Sequence, residues 1–460
     1  MRPAGRPVLP ADTIVAIATP PGVGAIGVIR VSGPQAIDRA AALLRLAQAR
    51  DLRSARPRTL YRARVVEPGT GSEIDEALIA VMPGPRSYTG EDVVEISGHG
   101  SPVTLGEIVR ILVAGGARLA EPGEFTRRAY LNGRLDLVQA EAVALLIGAR
   151  TERAGRLAAR QIAGALSAEL NAVREAALNL IAGLEVALDF PEDEVGVSPV
   201  EALARSEEMS AQLGRLSEDA RRGRDVQEGL SVMLAGAPNV GKSSLLNALL
   251  GRDRAIVSAL PGTTRDLLEG SVVVEGVPVR LMDGAGLGQP RHSIDAEGMR
   301  RSAQAVATSD LVIVVLDRSR PLTAADREVL RLTSGRERVL VGNKSDLPSE
   351  WSEETAECAC SALTGMGLAE LQGRLEMWVK QRTAADAEEG GVVASLRVVE
   401  QLDRGRTALD RATLALRAGL PLEVVLVDLR EALLALDQTL GIEADDALLD
   451  RIFATFCVGK

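Results

Sequence analysis

The sequence predicts a multidomain α/β + α chain: an α+β N-terminal domain, then an α-helical domain into which a doubly wound α/β unit is inserted. Three observations predict it. At 460 residues the chain is too long for one core and suggests about three domains. Its pattern passes from strand-like runs to Ala-, Leu-, Glu- and Arg-rich helical stretches, then to alternating strands and helices. Helical segments then return, so the α/β unit is flanked by helices on both sides.

In the first domain, 1–130, the runs Thr13–Ala18, Ala25–Val31, Thr59–Val66, Ala77–Met82 and Asp92–Ser97 read as strands, and Val103–Val113 reads as a helix. The second, 131–228, carries long helices from Asp136 to about Leu188, stopped by Pro191 and resumed over 199–225. In the third, 229–384, Ser231–Gly236, Val279–Asp283, Leu311–Asp317 and Val339–Asn343 are buried-strand candidates, each followed by a loop. An acidic, glycine-containing linker at Ala384–Gly391 leads into the helices of the last segment, 385–460.

Composition narrows the function classes. Four Phe, three Tyr and two Trp leave little material for stacking single-stranded bases. No apolar run reaches the roughly 20 residues of a membrane span, and Pro20 and Pro21 close the run Ile14–Thr19 too early for a signal peptide. Cys358, Cys360 and Cys457 form no disulfide or zinc framework, so a cytoplasmic protein is expected. The net charge of −10 hides an asymmetry: residues 1–66 hold eleven Arg against three Asp and no Glu. That basic stretch reads equally as a polyanion site or as a solvated surface. Only Lys242, Lys344, Lys380 and Lys460 are lysines, among 53 basic residues. Lysines retained in an arginine-rich chain mark places where a compact ammonium on a flexible stem is needed.

Two of the four fall in nucleotide motifs. Gly236-Ala-Pro-Asn-Val-Gly241-Lys242-Ser243 fits GxxxxGK[ST] between an apolar strand and the helix Ser243–Leu250. Its glycines let main-chain N–H groups wrap phosphates, and the helix N-terminus adds its dipole. Asn239, Val240, Gly241, Lys242, Ser243 and Ser244 line that loop, with Lys242 aimed at the β- and γ-phosphates and the Ser243 hydroxyl at Mg²⁺. Asp283-Gly284-Ala285-Gly286 ends a second strand and serves a magnesium water and the γ-phosphate. Asn343-Lys344-Ser345-Asp346 ends a third, where the Asp346 carboxylate accepts from the guanine N1–H and amino group, which adenine does not offer. Ser361, Ala362 and Leu363 follow a short strand and supply a main-chain N–H to the guanine O6. The nucleotide is GTP, and the α/β unit is a Ras-like P-loop G domain.

Switch I is expected at Pro261-Gly262-Thr263-Thr264, with Thr264 as second Mg²⁺ ligand. Asn239 accompanies GTPases that place K⁺ beside the phosphates in the part an arginine finger plays elsewhere. Asn239, Thr263 and the carbonyls of Ser258 and Leu260 would form its cage, with Ala259 on the same loop. Leu287 stands where Ras-type proteins have a water-orienting glutamine. A switch carboxylate, Asp295 or Glu297, is then the candidate for orienting water.

Along nearly its whole length the chain resembles the MnmE (TrmE) family of tRNA modification GTPases. The resemblance is carried by Thr13-Ile-Val-Ala, Ala18-Thr-Pro-Pro-Gly22, Gly24–Gly33, Ser87–Glu95, Pro122–Asn132, Leu135–Ala142, the G motifs and Cys457-Val-Gly-Lys460. It implies a folate-binding-type N-terminal domain and a homodimer joined through it, with G domains that pair when K⁺ and GTP are bound. It also implies an FAD-dependent partner, MnmG, in a heterotetramer. Together they would modify C5 of the wobble uridine of certain tRNAs, using a one-carbon unit from 5-formyl- or methylene-tetrahydrofolate. Arg30, Glu95 and Arg134 would contact the folate, with Lys460 returning to the same pocket. Cys457 is read either as a nucleophile favoured by Lys460 or as a structural thiol. The chain departs from the family pattern at Gly284 (DTAG in the family), Asp295 (Glu), Ser101 (HGG) and Arg134 (Lys). A ribosome-assembly GTPase of the Era or EngA kind would need a KH domain or a second G domain, and neither is legible.

Overall fold

The computed structural model describes residues 12–47, 51–190, 196–252, 269–284, 303–351, 356–383 and 391–460. The chain divides into two compact units. One comprises Met1–Ala144, Gln161–Arg215 and Arg397–Lys460; the other comprises Leu145–Arg160 and Leu216–Leu396.

The first unit opens with β1 (Ile14–Ile17), β2 (Ile26–Ser32), α1 (Ala36–Leu43), β3 (Leu44–Leu46), β4 (Leu60–Val66), β5 (Glu73–Met82), β6 (Val93–His99), α2 (Pro102–Ala114), β7 (Arg118–Leu119) and α3 (Glu124–Leu131). The seven strands form one sheet in the order β3-β4-β5-β6-β2-β1-β7. Period-two alternation decides its faces. Ile29, Val31, Ile79 and Ile96 are buried in one core cluster with Leu105 and Ile108 of α2 and Ala36 and Ala40 of α1. The intervening residues of β2 and β6 stand on the other face, where Arg30 lies opposite Glu95 in the antiparallel register. A smaller cluster of Ile14, Ala16, Ala120 and Phe125, with Tyr88 against it, covers part of that face. Pro102 opens α2 after Ser101, whose Oγ accepts from the Thr104 N–H at 3.4 Å.

The expected runs match β1, β2, β4 and β6 to within a few residues, β3 and β7 have no counterpart among them, and β5 begins at Glu73 rather than Ala77. Its early acids pair across the sheet, Glu76 with Arg62 and Glu73 with Arg64. This pairing bears on the basic stretch. Arg45 caps the carbonyls of α1, Arg53 meets Asp38 and Asp51, and Arg30 meets Glu95. Much of that charge is therefore spent within the domain.

Helices α4 (Leu137–Ile147), α6 (Ala165–Asp189) and α7 (Pro199–Glu228) follow, and α11 (Leu396–Arg417), α12 (Leu422–Leu440) and α13 (Asp446–Phe453) close the chain. Leu449 and Phe453 of α13 join Phe456 in a cluster with Tyr130, Leu131 and Leu137.

In the second unit, α5 (Glu152–Ile162) contributes its residues up to Arg160. The rest is β8 (Leu230–Ala235), α8 (Lys242–Arg252), β9 (Glu269–Val274), β10 (Val277–Asp283), β11 (Leu311–Asp317), α9 (Ala324–Leu332), β12 (Arg338–Asn343), β13 (Cys358–Ala359) and α10 (Leu368–Thr383). The sheet order is β13-β12-β11-β8-β10-β9. All pairs are parallel except β9 with β10. β8 and β11 are buried along their whole length, as strands covered on both faces must be. This is the Ras-like doubly wound arrangement, and the fold class is the one the sequence predicts. The strand β9 has no counterpart in that reading: an edge strand of six residues with one glycine carries little periodic signal.

Candidate functional site

Four loops leave the carboxyl ends of β8, β10, β12 and β13, where an open parallel sheet binds its ligand. The first is Gly236–Gly241. A Cβ at Gly241, φ +96°, would stand 2.2 Å from the Asn343 Nδ2, so only glycine fits. Asn239 takes φ +67°, a left-handed conformation that asparagine tolerates, and is exposed. Lys242 is 8% exposed and its Nζ donates to the carbonyls of Gly236 at 3.2 Å and Ala237 at 3.1 Å. Burial lowers the pKa of this ammonium, and the charge of Asp283 opposes the shift.

The Ser243 hydroxyl donates to Asp283 Oδ2. The other carboxylate oxygen, Oδ1, is buried and has no hydrogen-bond partner among the described residues. A hydroxyl and a carboxylate with an orphaned oxygen form the hard-oxygen donor set that suits Mg²⁺. Gly284 donates its N–H to the Leu234 carbonyl at 3.2 Å, tying the start of this loop to β8.

Asn343 is 2% exposed and binds two loops at once. Its Nδ2 donates to the Val240 carbonyl at 2.8 Å, and its Oδ1 accepts from the Ala362 N–H at 3.0 Å. Lys344, at φ +64°, reaches Asp317 Oδ2 at 2.6 Å. Burial alone would raise the pKa of Asp317, but the bonds from Lys344 and Ser319 outweigh it and hold the carboxyl below its ordinary range. Ser361 is buried and its N–H donates to the Met366 carbonyl, whereas Asp346 and Leu363 stand exposed. Ser244 is exposed on α8.

Ser258, Ala259, Leu260, Pro261, Gly262, Thr263, Thr264, Ala285, Gly286, Asp295 and Glu297 lie outside the described residues. The sites brought together are therefore the phosphate loop, Asp283, the Asn343–Asp346 loop and the Ser361–Leu363 loop.

A second constellation lies on the N-terminal sheet. Arg30 Nε and Nη2 approach Glu95 Oε1 at 2.9 and 2.8 Å, and Nη1 donates to the Gly459 carbonyl at 3.2 Å. Its guanidinium carbon lies 5.6 Å from the ring centroids of both Tyr88 and Phe125, a cation–π distance. The Phe125 N–H donates to the Lys460 main-chain oxygen at 3.2 Å. Arg134 is exposed just beyond α3; a Cβ on Gly90 would stand 3.3 Å from its Cγ, beside the turn that carries Tyr88. Cys457 is a free, exposed thiol, while Cys358 and Cys360 are buried in the second unit's core. Burial pushes the pKa of Cys358 up to about 11 and that of Cys360 up to about 12.

The family model described as MnmE helical domain matches residues 137–457, and that described as GTP-binding protein TrmE N-terminus matches 13–134. The tRNA modification GTPase MnmE of Koribacter versatilis is 43% identical, covering 98% of this chain and 99% of its own. The chain belongs to the MnmE family of tRNA modification GTPases. The family's enzyme from Lactiplantibacillus plantarum is 39% identical, over 98% of each chain. Among solved structures, the G domain of the T. maritima FeoB iron transporter is 29% identical over 34% of this chain and 99% of that chain, with a TM-score of 0.27. As a member of the MnmE family the chain is a GTP hydrolase, with GTP and Mg²⁺ as its nucleotide and metal.

Several residues of these sites carry no role in the sequence reading. Asp317 is the counter-ion of Lys344, and its signal was present: a lone carboxylate ending the apolar run Leu311–Leu316. Tyr88 and Phe125 flank Arg30, and in a chain this poor in aromatics their places within family motifs were a usable hint. No helix among the described residues is long and apolar enough to cross a membrane.

Proposed function

We propose that this chain is a potassium-activated GTPase whose cycle drives modification of C5 of the wobble uridine in certain tRNAs, in the cytoplasm. The observation that carries the reading is that one chain holds both a guanine-nucleotide loop set and a second polar site, Arg30–Glu95, against which the Cys457–Lys460 segment lies. A GTPase that only bound RNA would have no use for the second site.

At the G site, Lys242 and the phosphate-loop amides bind the phosphates, and Asp346 selects guanine. Ser243 and Thr264, with Asp283 behind them, would hold Mg²⁺. Asn239, Thr263 and the carbonyls of Ser258 and Leu260 would hold K⁺, which supplies the positive charge an arginine finger supplies elsewhere. Asp295 or Glu297 orients the attacking water. At the N-terminal site, Glu95 suits the hydrogen-bond donors of a pterin edge. Arg30, Arg134 and Lys460 provide cationic surroundings for the glutamate tail of a tetrahydrofolate carrying a one-carbon unit. The active form is a homodimer joined through its N-terminal domains, working with the FAD-dependent MnmG; GTP and K⁺ drive the G domains to pair.

The test is GTP turnover in K⁺ against Na⁺, for the unmodified chain and for Asn239→Ala. A K⁺ stimulation of roughly ten-fold or more, lost in Asn239→Ala, is expected from the scale of transition-state charge stabilisation by one ligand. Equal rates in both salts would sink the potassium reading. Binding of 5-formyltetrahydrofolate to the full chain checks the folate site separately.

A further inference from the structure

Not all the arginines of the basic stretch are spent within its domain. Along the β4–β5 ladder the charge is sorted by position. The acids of β5 stand near its start, at Glu73, Asp75 and Glu76, and neither 52–66 nor 77–90 contains an acid. The register sets that acidic end beside Arg64, and the diagonal pair Arg62–Glu76 uses the next arginine. The other end of the ladder, at Val81 and Met82, has no acid to offer.

Three exposed arginines occupy that end. The Arg58 N–H donates to the Val81 carbonyl at 2.9 Å, and its Nη2 donates to the Arg86 carbonyl at 2.5 Å. Arg56 lies two residues earlier, its own N–H bound to the Tyr61 hydroxyl at 2.8 Å. None of the three guanidinium groups pairs with a carboxylate among the described residues. The acids next along the chain are engaged elsewhere. Asp51 meets Arg53, Glu91 meets Ser32 and Arg128, and Asp92 accepts from the Gly84 N–H. Arg58 also has φ +58°, in a turn just after Pro57. Glycine or asparagine is the ordinary residue in that conformation, and an arginine pays for its β-carbon there. A residue held against its backbone preference points to a use for its side chain.

We propose that Arg56, Arg58 and Arg86 form a phosphate-binding patch that takes the backbone of the tRNA substrate. Guanidinium forks match phosphate oxygens two at a time, and three of them on one turn and the loop beside it suit neighbouring phosphates. Such contacts position an RNA without reading its sequence, which fits a chain with few aromatics to stack bases. The unpaired cations stand on geometry alone; the identity of the polyanion rests on the tRNA reading above.

Fluorescence anisotropy tests this, with the full chain and an unmodified tRNA transcript carrying a wobble uridine, over salt from about 50 to 200 mM. Thermal unfolding and affinity for 5-formyltetrahydrofolate are measured beside it. The variants are the triple Arg56→Ala, Arg58→Asn, Arg86→Ala; Arg58→Asn alone, which removes the charge but suits the left-handed turn; and Arg62→Ala with Arg64→Ala, which removes paired arginines from the same ladder. The triple variant should bind tRNA at least about ten-fold more weakly, with a log–log salt slope shallower by roughly two to three. Arg58→Asn should lower the slope by roughly 0.7–0.9 with its unfolding midpoint held. The paired-arginine variant should keep the slope of the unmodified chain. If the triple variant keeps both affinity and slope, the patch is wrong while the tRNA reading stands. If the unmodified chain binds no tRNA, the patch is overturned and the tRNA reading fails for this chain on its own. If the triple variant loses 5-formyltetrahydrofolate but not tRNA, the arginines serve the folate's carboxylate tail instead. An equal loss in the paired-arginine variant would mean a diffuse basic field and no patch. Should the triple variant not fold, Arg58→Asn decides: an unchanged slope there overturns the proposal.

Discussion

A single carboxamide joins three loops of the nucleotide site. Asn343 donates to Val240 in the phosphate loop and accepts from Ala362 in the Ser361–Leu363 loop, while its own main chain positions Lys344 and Asp346. Asn343→Ala leaves a buried carbonyl and a buried N–H unpaired, at about 1–3 kcal/mol each. GTP affinity is expected to fall by at least about ten-fold, since the loops no longer hold their shape for the ligand. Asn343→Asp keeps the shape but turns an acceptor toward the Val240 carbonyl, and should do no better. Calorimetric titration with GDP measures both; undiminished binding in either would mean the loops hold one another without the amide. The motif was legible in the sequence, but its partners were not. Val240 lies 103 positions away, and a spacing rule written within one loop says nothing about a bond to another.

Among the elements, α3 is held by charge. Glu124 and Arg128 stand four apart, a spacing that on an exposed helix is worth a few tenths of a kcal/mol. In the structure Arg128 is fully buried, bound to Asp12 at 2.6 Å, Glu124 at 2.9 Å and Glu91 at 3.3 Å. Arg118 joins Asp12 and Glu124 from the side. The cluster pins α3, and with it Phe125, to the segment before β1 and to the turn that carries Tyr88. Burial alone would raise the pKa values of Asp12 and Glu124, but the bonds from Arg118 and Arg128 hold both below the ordinary range. A carboxyl depressed in the folded state stabilises the fold above its unfolded pKa, and that contribution is lost as pH falls through the folded value. Arg128→Met should therefore destabilise the first unit by about 3–5 kcal/mol at pH 7. The deficit should shrink below roughly pH 4, where the stranded carboxyls protonate. Denaturant unfolding at the two pH values reads it, and a deficit independent of pH would place the loss in packing. The alternating runs of β1, β2, β4 and β6 were legible in the sequence; β3 and β7, at three and two residues, exist only through their neighbours.

At the scale of the whole molecule, the unit that binds the nucleotide is completed by residues from well before it in the chain. Ala154 of α5 is fully buried in the same cluster as Val226, Val274, Val277 and Leu375. The neighbouring Arg153 donates to the Thr383 carbonyl at 2.7 Å and hydroxyl at 3.2 Å, and to the Glu275 carbonyl at 3.3 Å. Periodicity marks 137–162 as helical but carries no sign of which core a helix buries against, so this part was invisible in the sequence. The contact is placed to matter for the nucleotide cycle. Glu275 and Gly276 form the turn between β9 and β10, and β10 ends at Asp283. Arg153 thus grips the far end of the hairpin whose near end reaches Asp283. Arg153→Ala, in the full chain, should cost the second unit about 1.5–3 kcal/mol through lost charge-assisted bonds. It should also speed hydrogen exchange at the Glu275 turn and the end of α10 ahead of β8 and β11, whose full burial keeps them to the last. Because no nucleotide contact is removed, a fall in GDP affinity in this variant would mean that the hairpin transmits strain from its turn to Asp283. Unchanged affinity with the same loss of stability would confine α5 to a structural part.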